Sequence, residues 1–336
     1  MADKSIKVIV AADFTEKIMT NLRQISPQLD IEQHYPNVPN RAWKNAEILH
    51  TFDVIPTPEQ APNLRWIQLL SAGVDHVKDK PIVQQGVTVT SASGIHATPI
   101  AEYCIGMMLA HVFQLPLMLK DQGEKRWREN QHDVYRPHHL RGQTLGIVGY
   151  GNIGRELARL ADALGMNVLA SKRDAKHPAI EGVYQAAGTG DPEGDIPERI
   201  YPSEAITTMA RECDYLVLLT PLTEATHHLI GKSVLDAMKK NAVLINVARG
   251  SVVDEPALVK ALQAGDIAGA VLDVFEEEPL PTDSPLWEMD NVIISPHCAG
   301  NSQRYNEKAA AVFAENLQRY LEREDLLNEL DTERGY

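Results

Sequence analysis

Three glycines with a fixed spacing are the first residues in this sequence that could do chemistry. Gly149, Gly151 and Gly154 follow an apolar run in the order G-x-G-x-x-G. In a strand-turn-helix unit, glycines at this spacing permit a tight turn, let the backbone approach a pyrophosphate and allow the helix to pack closely on the strand. The helix would direct free N–H groups and the positive end of its dipole at the phosphates. The spacing therefore predicts a dinucleotide site, to which Asn152 and Ile153 also belong.

The segments around these glycines are predicted to form a β-α-β unit. Apolar residues run through Thr144–Val148, an amphipathic pattern follows over Arg155–Leu164 and stops at Gly165, and a second apolar run covers Met166–Ala170. Two short apolar runs that flank a helical pattern indicate buried parallel strands and their crossover helix. The alternative is a glycine-rich turn in an ordinary α/β protein, which the complete unit disfavours.

Composition restricts the class of protein. The chain has 336 residues, of which 44% are hydrophobic and 23% charged, so we expect two globular domains with ample core. The net charge of −14 argues against a nucleic acid partner, because phosphate binding needs clustered Lys and Arg. The first residues lack the apolar core of a signal peptide and no apolar run could span a bilayer, so we expect a cytoplasmic protein without a membrane partner. Cys104, Cys213 and Cys298 lack metal-binding spacing, so no metal site is expected.

Apolar runs that alternate with helical stretches predict the fold. The predicted buried strands are Ile6–Ala11, Ala46–Phe52, Leu64–Leu70, Val87–Ser91, Cys213–Thr220, Ala242–Val247, Gly269–Val274 and Val292–Ser295. We predict an α/β fold of two domains, in which a Rossmann-type doubly wound parallel sheet is inserted into a smaller flavodoxin-like α/β domain. Residues 1–98 and 302–336 form the smaller, substrate domain in this prediction, and residues 99–301 form the dinucleotide-binding domain.

Three other segments have a distinct character. Pro99–Leu119 is apolar nearly all round, which predicts a buried helix that is broken near Pro116. Lys176–Pro202 is rich in Gly, Pro, Asp and Glu and has little periodicity, so we expect a long loop. Gln303–Glu322 is predicted to be the last helix and to return to the first domain.

Six further motifs occur in order along nearly the whole chain. They are SAGVD at Ser71–Asp75, HATPIAEY at His96–Tyr103, TPLT at Thr220–Thr223, NVARG at Asn246–Gly250, LDVFEEEPL at Leu272–Leu280 and SPHCAG at Ser295–Gly300. With the glycine motif, they resemble the D-2-hydroxyacid dehydrogenase family. The resemblance implies the two-domain fold and the transfer of a hydride between a nicotinamide cofactor and a 2-oxo or D-2-hydroxy acid.

Hydride transfer to a 2-oxo acid needs a group that holds the carboxylate and a proton donor for the carbonyl oxygen. Arg249 lies just past a predicted buried strand, where its planar guanidinium could grip a carboxylate, although a surface ion pair is the alternative. The resemblance implies that Arg249 binds substrate, that His297 exchanges the proton, and that Glu278 hydrogen-bonds the imidazole. A structural Pro-His turn is the alternative for His297 alone. Related formate dehydrogenases have Gln in place of Glu278, so the Glu favours a hydroxyacid enzyme.

The resemblance implies further contacts with substrate and cofactor. The backbone N–H groups of Ala72, Gly73 and Val74 would face the substrate carboxylate together with Arg249 and His297, unless the segment is only a strand-helix turn. The other residues implied at the cofactor are Thr98, Thr220, Pro221, Ala248 and Asp273. Asp273 is expected at the nicotinamide carboxamide, but it could equally be a helix N-cap.

The residues after the second strand bear on which dinucleotide binds. NAD-preferring proteins end that strand with an acidic residue that binds the ribose 2′-OH. In this chain the corresponding position is Lys172, between Ser171 and Arg173, so two cations and a hydroxyl could bind a 2′-phosphate. We therefore predict NADP as the preferred cofactor, although Asp174 weakens this and a solvated basic turn with NAD bound is the alternative.

The predicted function is that of an NAD(P)-dependent oxidoreductase acting on a small 2-oxo or D-2-hydroxy acid. One alternative is a cofactor-sensing, corepressor-like binding protein, which would keep the fold together with Arg249, Glu278 and His297. The other alternative is a phosphonate dehydrogenase. A homodimer built around Pro99–Leu119 is expected, because this apolar surface is too wide for one small core to cover and family members commonly pair there.

Overall fold

The computed structural model describes residues 5–74 and 76–330, which divide into two compact units. Of the described residues, unit 1 comprises 5–74, 76–95, 181–186 and 302–330, and unit 2 comprises 96–180 and 187–301. The sequence-based prediction placed the boundaries between the two domains after residues 98 and 301. It did not predict that residues 181–186 belong to unit 1. Asp75 and residues 1–4 and 331–336, which the sequence-based predictions include, lie outside the described residues.

Strands and helices alternate along much of the chain. The strands are β1 (Ile6–Ala11), β2 (Leu29–Gln33), β3 (Ile48–Thr51), β4 (Trp66–Leu69), β5 (Thr88–Thr90), β6 (Thr144–Val148), β7 (Asn167–Ser171), β8 (Arg199–Tyr201), β9 (Tyr215–Leu218), β10 (Val243–Asn246), β11 (Gly269–Leu272) and β12 (Val292–Ile294). The α-helices are α1 (Glu16–Arg23), α2 (Asn40–Trp43), α3 (Pro81–Gln84), α4 (Ala97–Val112), α5 (Leu115–Gly123), α6 (Gln131–Val134), α7 (Asn152–Ala163), α8 (Ile206–Ala210), α9 (Lys232–Leu235), α10 (Glu255–Ala264) and α11 (Tyr305–Glu322). Short 3-10 helices span Ser203–Ala205, Gly250–Val252 and Pro285–Glu288.

Unit 1 is built on a parallel sheet with the strand order β2-β1-β3-β4-β5. This order is that of flavodoxin-like folds, as predicted. Strands β3 and β4 are buried along their whole length, because such a sheet is covered on both faces. The last helix, α11, packs on the sheet through Ala310, Phe313 and Leu317. Strand β2 was not predicted because it lies at the sheet edge and alternates buried with exposed residues, instead of forming an apolar run.

Unit 2 is built on a second parallel sheet, with the order β8-β7-β6-β9-β10-β11-β12. Its first six strands in chain order have the Rossmann arrangement 3-2-1-4-5-6, and β12 extends the sheet by one strand. The predicted doubly wound sheet is therefore confirmed. Chain order reverses between β6 and β9, and ligands of such sheets bind outside the carboxyl ends of the strands at this reversal.

The long apolar helix is interrupted two residues earlier than its proline suggested. α4 ends at Val112 and α5 begins at Leu115, with a bend of 63° between them. Gln114 adopts a left-handed conformation (φ 52°) at the break, whereas Pro116 sits in the first turn of α5, where proline is tolerated. Within the described residues, no single helix is long and apolar enough to cross a membrane, and α4 and α5 reach that length and apolar character only when taken as a bent pair.

The segment predicted as one long loop, Lys176–Pro202, is more ordered than its composition suggested. Its last residues form β8, which pairs with β7. Residues 181–186 belong to unit 1, where Asn328 accepts a hydrogen bond from Tyr184 N and donates one to Gly182 O. The sequence-based prediction missed both features. Because glycine and proline are frequent in this segment, neither the strand pairing nor the tertiary contacts produce a periodic hydrophobic pattern.

His50, on β3, is a fully buried titratable group in unit 1. Its ring stacks on Phe313 with a centroid distance of 4.5 Å, and Nδ1 donates to Gln68 O at 3.0 Å. Nε2 has no hydrogen-bond partner in the described part of the chain. Burial lowers the pKa of His50 to about 4, because the charged ring would lose its hydration.

We predict that unit 1 loses stability as pH falls from about 6.5 to 4. The folded His50 has a pKa of about 4 and the unfolded ring an ordinary value of about 6.5. The unfolded state therefore binds more protons than the folded state in this window. The free energy of unfolding should fall by roughly 3 kcal/mol between pH 6.5 and pH 4. Urea unfolding followed by intrinsic fluorescence measures this, since Trp43 and Trp66 of unit 1 are buried whereas Trp127 and Trp287 are exposed.

The control for this prediction is a matched pair of variants. His50→Phe keeps the stacking but removes the titrating group, so its stability should depend less steeply on pH over the window. His139→Gln, at an exposed histidine, should leave the slope as in the unmodified protein. If His50→Phe and the unmodified protein have equal slopes, His50 does not cause the acid sensitivity.

Candidate active site

The three glycines each satisfy a separate steric requirement at the end of β6. Gly149 has φ +103°, and a Cβ there would lie 2.9 Å from the backbone carbon of Leu219, just after β9. A Cβ on Gly154 would lie 2.6 Å from Gly149 O. By contrast, a Cβ on Gly151 would meet no described atom within 4 Å. The first and third glycines thus pack the turn, and the second leaves open space.

This open space is where a dinucleotide fits. Gly151 is the N-cap of α7, and no side chain caps the helix. The first N–H groups of the helix, at Asn152 and Ile153, have no intrahelical acceptor by position. Asn152 Oδ1 is buried and has no hydrogen-bond partner among the described residues. An uncapped helix N-terminus at the chain reversal fits the pyrophosphate of a dinucleotide, whereas Asn152 Oδ1 can only accept a hydrogen bond from a donor group of a ligand.

The end of β7 lies against the glycine turn. The buried Ser171 accepts hydrogen bonds through its carbonyl from Gly149 N and Tyr150 N, both at 3.1 Å. Thr220 and Pro221 follow β9, and Thr220 N is 3.0 Å from the position of a Cβ on Gly149. These predicted cofactor residues therefore surround one turn of unit 2.

Lys172 is engaged by the backbone of the segment that follows it. Its ammonium donates to three carbonyls, those of His177 at 2.6 Å, Ala179 at 3.0 Å and Pro178 at 3.3 Å. Burial and the nearby Arg155 lower the pKa of Lys172. An ammonium has three donors, and all three are used here. Arg173, the next residue, is exposed.

Arg155 holds the same segment, and the sequence analysis did not predict a role for it. Its fully buried guanidinium donates to the carbonyls of Pro178, Pro192 and Asp191 and lies over the ring of Tyr150, 4.7 Å from the centroid. The Tyr150 hydroxyl donates to the Asp191 carboxylate at 2.5 Å. The available signal was the position of Arg155 on the buried face of α7, next to Gly154.

Arg249 is presented by a turn that a glycine brings against the next strand connection. Asn246, at the end of β10, accepts from Ala248 N and donates to Arg249 O, which shapes the turn. A Cβ on Gly250 would lie 1.8 Å from the carbonyl carbon of Phe275, so only glycine permits this approach. Arg249 is exposed, donates to Ala248 O at 2.7 Å and pairs with no carboxylate in the described ranges. Its charge is therefore available to an anionic ligand.

His297 and Glu278 form a directly bonded pair. His297 Nδ1 is 2.8 Å from Glu278 Oε2, and the other carboxylate oxygen accepts from Phe275 N at 3.1 Å. The side chains are 50% and 36% exposed. Because Nδ1 faces the carboxylate, it carries the proton of the neutral ring, and Nε2 is left to face a substrate. An imidazole oriented in this way can donate and recover a proton at Nε2.

Asp273 lies under the backbone that carries His297. Its buried carboxylate accepts hydrogen bonds from Cys298 N and Ala299 N, both at 2.9 Å, and from the Ser295 hydroxyl. These donors all belong to the loop that carries His297, and the contact of Asp273 with the nicotinamide carboxamide stays a prediction. Asp273 is not the N-cap of a described helix.

The remaining predicted residues lie in both units. Thr98 is half-buried in the first turn of α4, and Ala248 is buried beside Arg249. In unit 1, the turn of Ala72, Gly73 and Val74 follows β4, and Ser71 Oγ donates to Gly73 O at 2.8 Å. The three N–H groups of this turn donate to no acceptor within residues 5–74 and 76–330. Unpaired N–H groups in succession are what an anion-binding turn requires.

The structure thus assembles three reactive groups at one edge of the sheet in unit 2. Arg249 follows β10, Glu278 follows β11 and His297 follows β12. Carboxyl ends of neighbouring parallel strands meet at the same edge, so these groups share it with the glycine turn after β6. A cation, an oriented imidazole and a dinucleotide turn are the components needed to reduce a carbonyl compound that carries a carboxylate.

Comparison with known proteins identifies the family of this chain. Residues 105–299 match the family model of the D-isomer specific 2-hydroxyacid dehydrogenase, NAD binding domain. A glyoxylate reductase of Korarchaeum cryptofilum is 36% identical over 266 residues, which cover 77% of this chain and 74% of that protein. An (S)-sulfolactate dehydrogenase of Chromohalobacter salexigens is 34% identical over 292 residues, covering 84% and 83%. Among solved structures, a D-isomer specific 2-hydroxyacid dehydrogenase from Xanthobacter autotrophicus Py2, in complex with NADPH and MES, aligns with a TM-score of 0.76 at 28% identity, covering 99% of this chain and 100% of that one.

The matched model covers more than half of the chain, and the relatives match along most of their own length. The chain belongs to the D-isomer specific 2-hydroxyacid dehydrogenase family. It is an NAD(P)-dependent oxidoreductase that transfers a hydride between the nicotinamide cofactor and a 2-oxo acid or its 2-hydroxy acid.

Proposed function

We propose that this enzyme is an NADPH-preferring reductase of small 2-oxo acids, in which His297 exchanges the proton and Arg249 binds the substrate. The observation that carries the proposal is the Glu278–His297 pair at 2.8 Å, which leaves Nε2 of an oriented imidazole for the substrate. The activity of the glyoxylate reductase relative supports small 2-oxo acids as the substrate class. Turnover of glyoxylate and its larger homologues distinguishes this enzyme from a cofactor-sensing binding protein.

The chemistry divides between the cofactor and the chain's own side chains. When bound, the nicotinamide supplies the hydride in reduction and accepts it in oxidation. As the hydride reaches C2 of the 2-oxo acid, negative charge develops on the carbonyl oxygen, and protonated His297 donates a proton to it from Nε2. Glu278 stabilises the imidazolium before this transfer and holds the ring in place. In oxidation, neutral His297 takes the proton from the hydroxyl.

Arg249 is suited to hold the substrate because its guanidinium is exposed and not paired with a described carboxylate. Its planar fork can accept a carboxylate through two parallel hydrogen bonds. The Ala72–Val74 turn of unit 1 remains a predicted carboxylate-binding turn, which is supported by three N–H groups that donate to no acceptor among residues 5–74 and 76–330. A charged anchor of this kind selects acids over neutral carbonyl compounds.

We predict that Arg249→Ala and His297→Ala impair different steps. Loss of the charge-assisted contact should cost about 2–5 kcal/mol in kcat/KM for the acid with Arg249→Ala. Loss of the proton donor should lower kcat by about 10²–10⁴-fold with His297→Ala. Steady-state kinetics and fluorescence titration of the cofactor check this, and the cofactor Kd should change little in both variants.

Arg304→Ala is the control, because Arg304 is an exposed arginine of unit 1 paired with Glu307. It should leave kcat/KM and the cofactor Kd unchanged. If Arg249→Ala weakens cofactor and substrate binding equally, Arg249 has a structural role and the assignment is wrong.

The cofactor preference depends on the residues after β7. No acidic side chain stands at the position of Lys172 to repel a 2′-phosphate, and the next residue, Arg173, is an exposed cation. We propose that Arg173 binds the phosphate and that Lys172 supports it by holding the carbonyls of His177, Pro178 and Ala179. The Xanthobacter relative, which contains NADPH, supports the same preference.

We expect the unmodified enzyme to have a higher kcat/KM with NADPH than with NADH. Arg173→Ala should weaken NADPH binding about 10- to 100-fold, as expected for the loss of one hydrogen bond to a charged group, and affect NADH little. Lys172→Met should change the ratio of the two cofactors less than Arg173→Ala does. Lys176→Ala, which removes an exposed lysine of the same segment, is the matched control. A higher kcat/KM with NADH than with NADPH in the unmodified enzyme would overturn the proposal.

We also propose a homodimer in which the α4–α5 region forms the interface. One face of α4 is buried within unit 2, but large apolar side chains remain exposed around its end and along the next segment. They are Leu109, Phe113, Leu115, Leu119 and Trp127, with 37–85% of their surface exposed. Apolar residues concentrated in one surface segment mark an interaction site.

Light scattering at micromolar concentration should therefore give the mass of two chains. Leu115→Lys together with Leu119→Lys should shift the protein to the monomer, because charges would be buried in the interface. Leu164→Lys, at an exposed leucine after α7, is the control and should remain dimeric. A monomeric unmodified protein contradicts this proposal.

Two further expectations remain proposals. The three cysteines are unpaired, which supports a reducing compartment such as the cytoplasm. The net charge of −14 supports the absence of a nucleic acid partner.

A further inference from the structure

The histidine loop, Ser295–Gly300, carries His297 in a backbone conformation that needs support. His297 has φ +50°, which is uncommon for a residue with a side chain. Its N–H donates to Asp273 O at 2.8 Å, and the next two N–H groups donate to the Asp273 carboxylate. The direction of the imidazole therefore depends on where Asp273 is held.

Helix α4 reaches this loop through Tyr103. The Tyr103 hydroxyl is 2.6 Å from Ser295 Oγ, and Ser295 Oγ contacts Asp273 Oδ1. The carboxylate only accepts, so the single hydroxyl proton of Ser295 is donated to Asp273. Ser295 Oγ then accepts, and Tyr103 is the donor. The hydrogen-bond chain runs in one direction, from Tyr103 through Ser295 to Asp273.

A second contact from the start of α4 holds the other end of the loop. His96 Nδ1 donates to Gly300 O at 3.0 Å. A Cβ on Gly300 would lie 3.0 Å from the same nitrogen, so glycine allows this close approach. His96 and Tyr103 thus contact the two ends of the loop that carries His297.

We infer that Tyr103 is a positioning residue for His297, acting through the hydrogen bonds of Ser295 and Asp273. Tyr103 touches neither Glu278 nor His297 and is not part of the Arg249, Glu278 and His297 set. It stabilises the left-handed backbone of His297, and with it the direction in which Nε2 points. The inference rests on the proposed role of His297 as proton donor.

The surroundings of Tyr103 suit a permanent donor. Burial raises the pKa of Tyr103 to about 12, so its hydroxyl keeps its proton throughout the range in which the enzyme is assayed. The Asp273 carboxylate contributes in the same direction. The support that Tyr103 gives to the loop therefore does not vary with pH near neutrality.

The kinetic test compares tyrosines that contact or do not contact the loop. Tyr103→Phe removes only the hydroxyl and should lower kcat about 3- to 10-fold, the effect of one lost hydrogen bond, with the KM and the cofactor Kd within about twofold. Ser295→Ala should behave similarly, and Ser295→Thr, which keeps a hydroxyl, should restore activity. Tyr215→Phe is the matched control, because the buried Tyr215 contacts His111 of the same helix through its hydroxyl. Its kcat should not change.

A double-mutant comparison shows whether Tyr103 acts through His297. In the His297→Ala background, adding Tyr103→Phe should cause no further loss of kcat, because the group that it positions is absent. A further loss equal to that in the unmodified enzyme would overturn the inference. A normal kcat for His297→Ala would instead refute the proposed role of His297.

Cys298 gives a readout of the loop that does not depend on activity. It is half-buried in the histidine loop, whereas Cys104 and Cys213 are buried. Burial and the Asp273 carboxylate raise the pKa of the Cys298 thiol, so alkylation by iodoacetamide should be slow. Tyr103→Phe should speed this alkylation several-fold, and Tyr215→Phe should not. Equal alkylation rates in the two variants and the unmodified enzyme would contradict the positioning role.

Discussion

Close approach of backbone segments at the carboxyl edge of the seven-stranded sheet is the constraint on which the active site depends. At Gly149 the turn after β6 lies against the turn after β9, and at Gly250 the turn after β10 lies against Phe275. Neither approach leaves room for a Cβ. These contacts set the spacing between the open turn at Gly151 and the segment that leads to Glu278. The chemistry therefore relies on missing side chains as much as on Arg249 and His297.

The sequence predicted what depends on local pattern. Apolar runs located β1 within its observed bounds and most other strands within a few residues, because buried parallel strands are continuous in hydrophobicity. Strand β2 was missed because an edge strand alternates, and β8 because Gly and Pro dominate the segment before it. The glycine spacing predicted its turn correctly, since each glycine answers a steric need that recurs wherever this turn forms. Arg155 and Tyr103 act through contacts with residues far along the chain, and a local pattern does not reveal such contacts.

Lys172 shows where residue type and residue role differ. From the sequence it was an available cation, and a phosphate is an obvious partner for one. In the folded chain its three donors are taken by carbonyls of His177, Pro178 and Ala179, and Arg155 also donates to the carbonyl of Pro178. Two cations that could bind anions instead satisfy backbone carbonyls of a segment with little regular structure. Lys172 is a cation, as its residue type indicates, but its partners are backbone carbonyls. They lie in a segment that the composition predicted only as a loop.

The discontinuous course of unit 1 has a consequence for how the chain folds as it leaves the ribosome. The core around β1 includes Phe313 and Leu317 of α11, which are synthesised after the strands of unit 2. The nascent first ninety-five residues of unit 1 therefore expose apolar surface until unit 2 has been made. Unit 2 needs only residues 96–301 for its sheet and helices, so it can fold first although its sequence begins later. The N-terminal strands must wait in an incompletely buried state, which is the period when chaperones and aggregation compete for them.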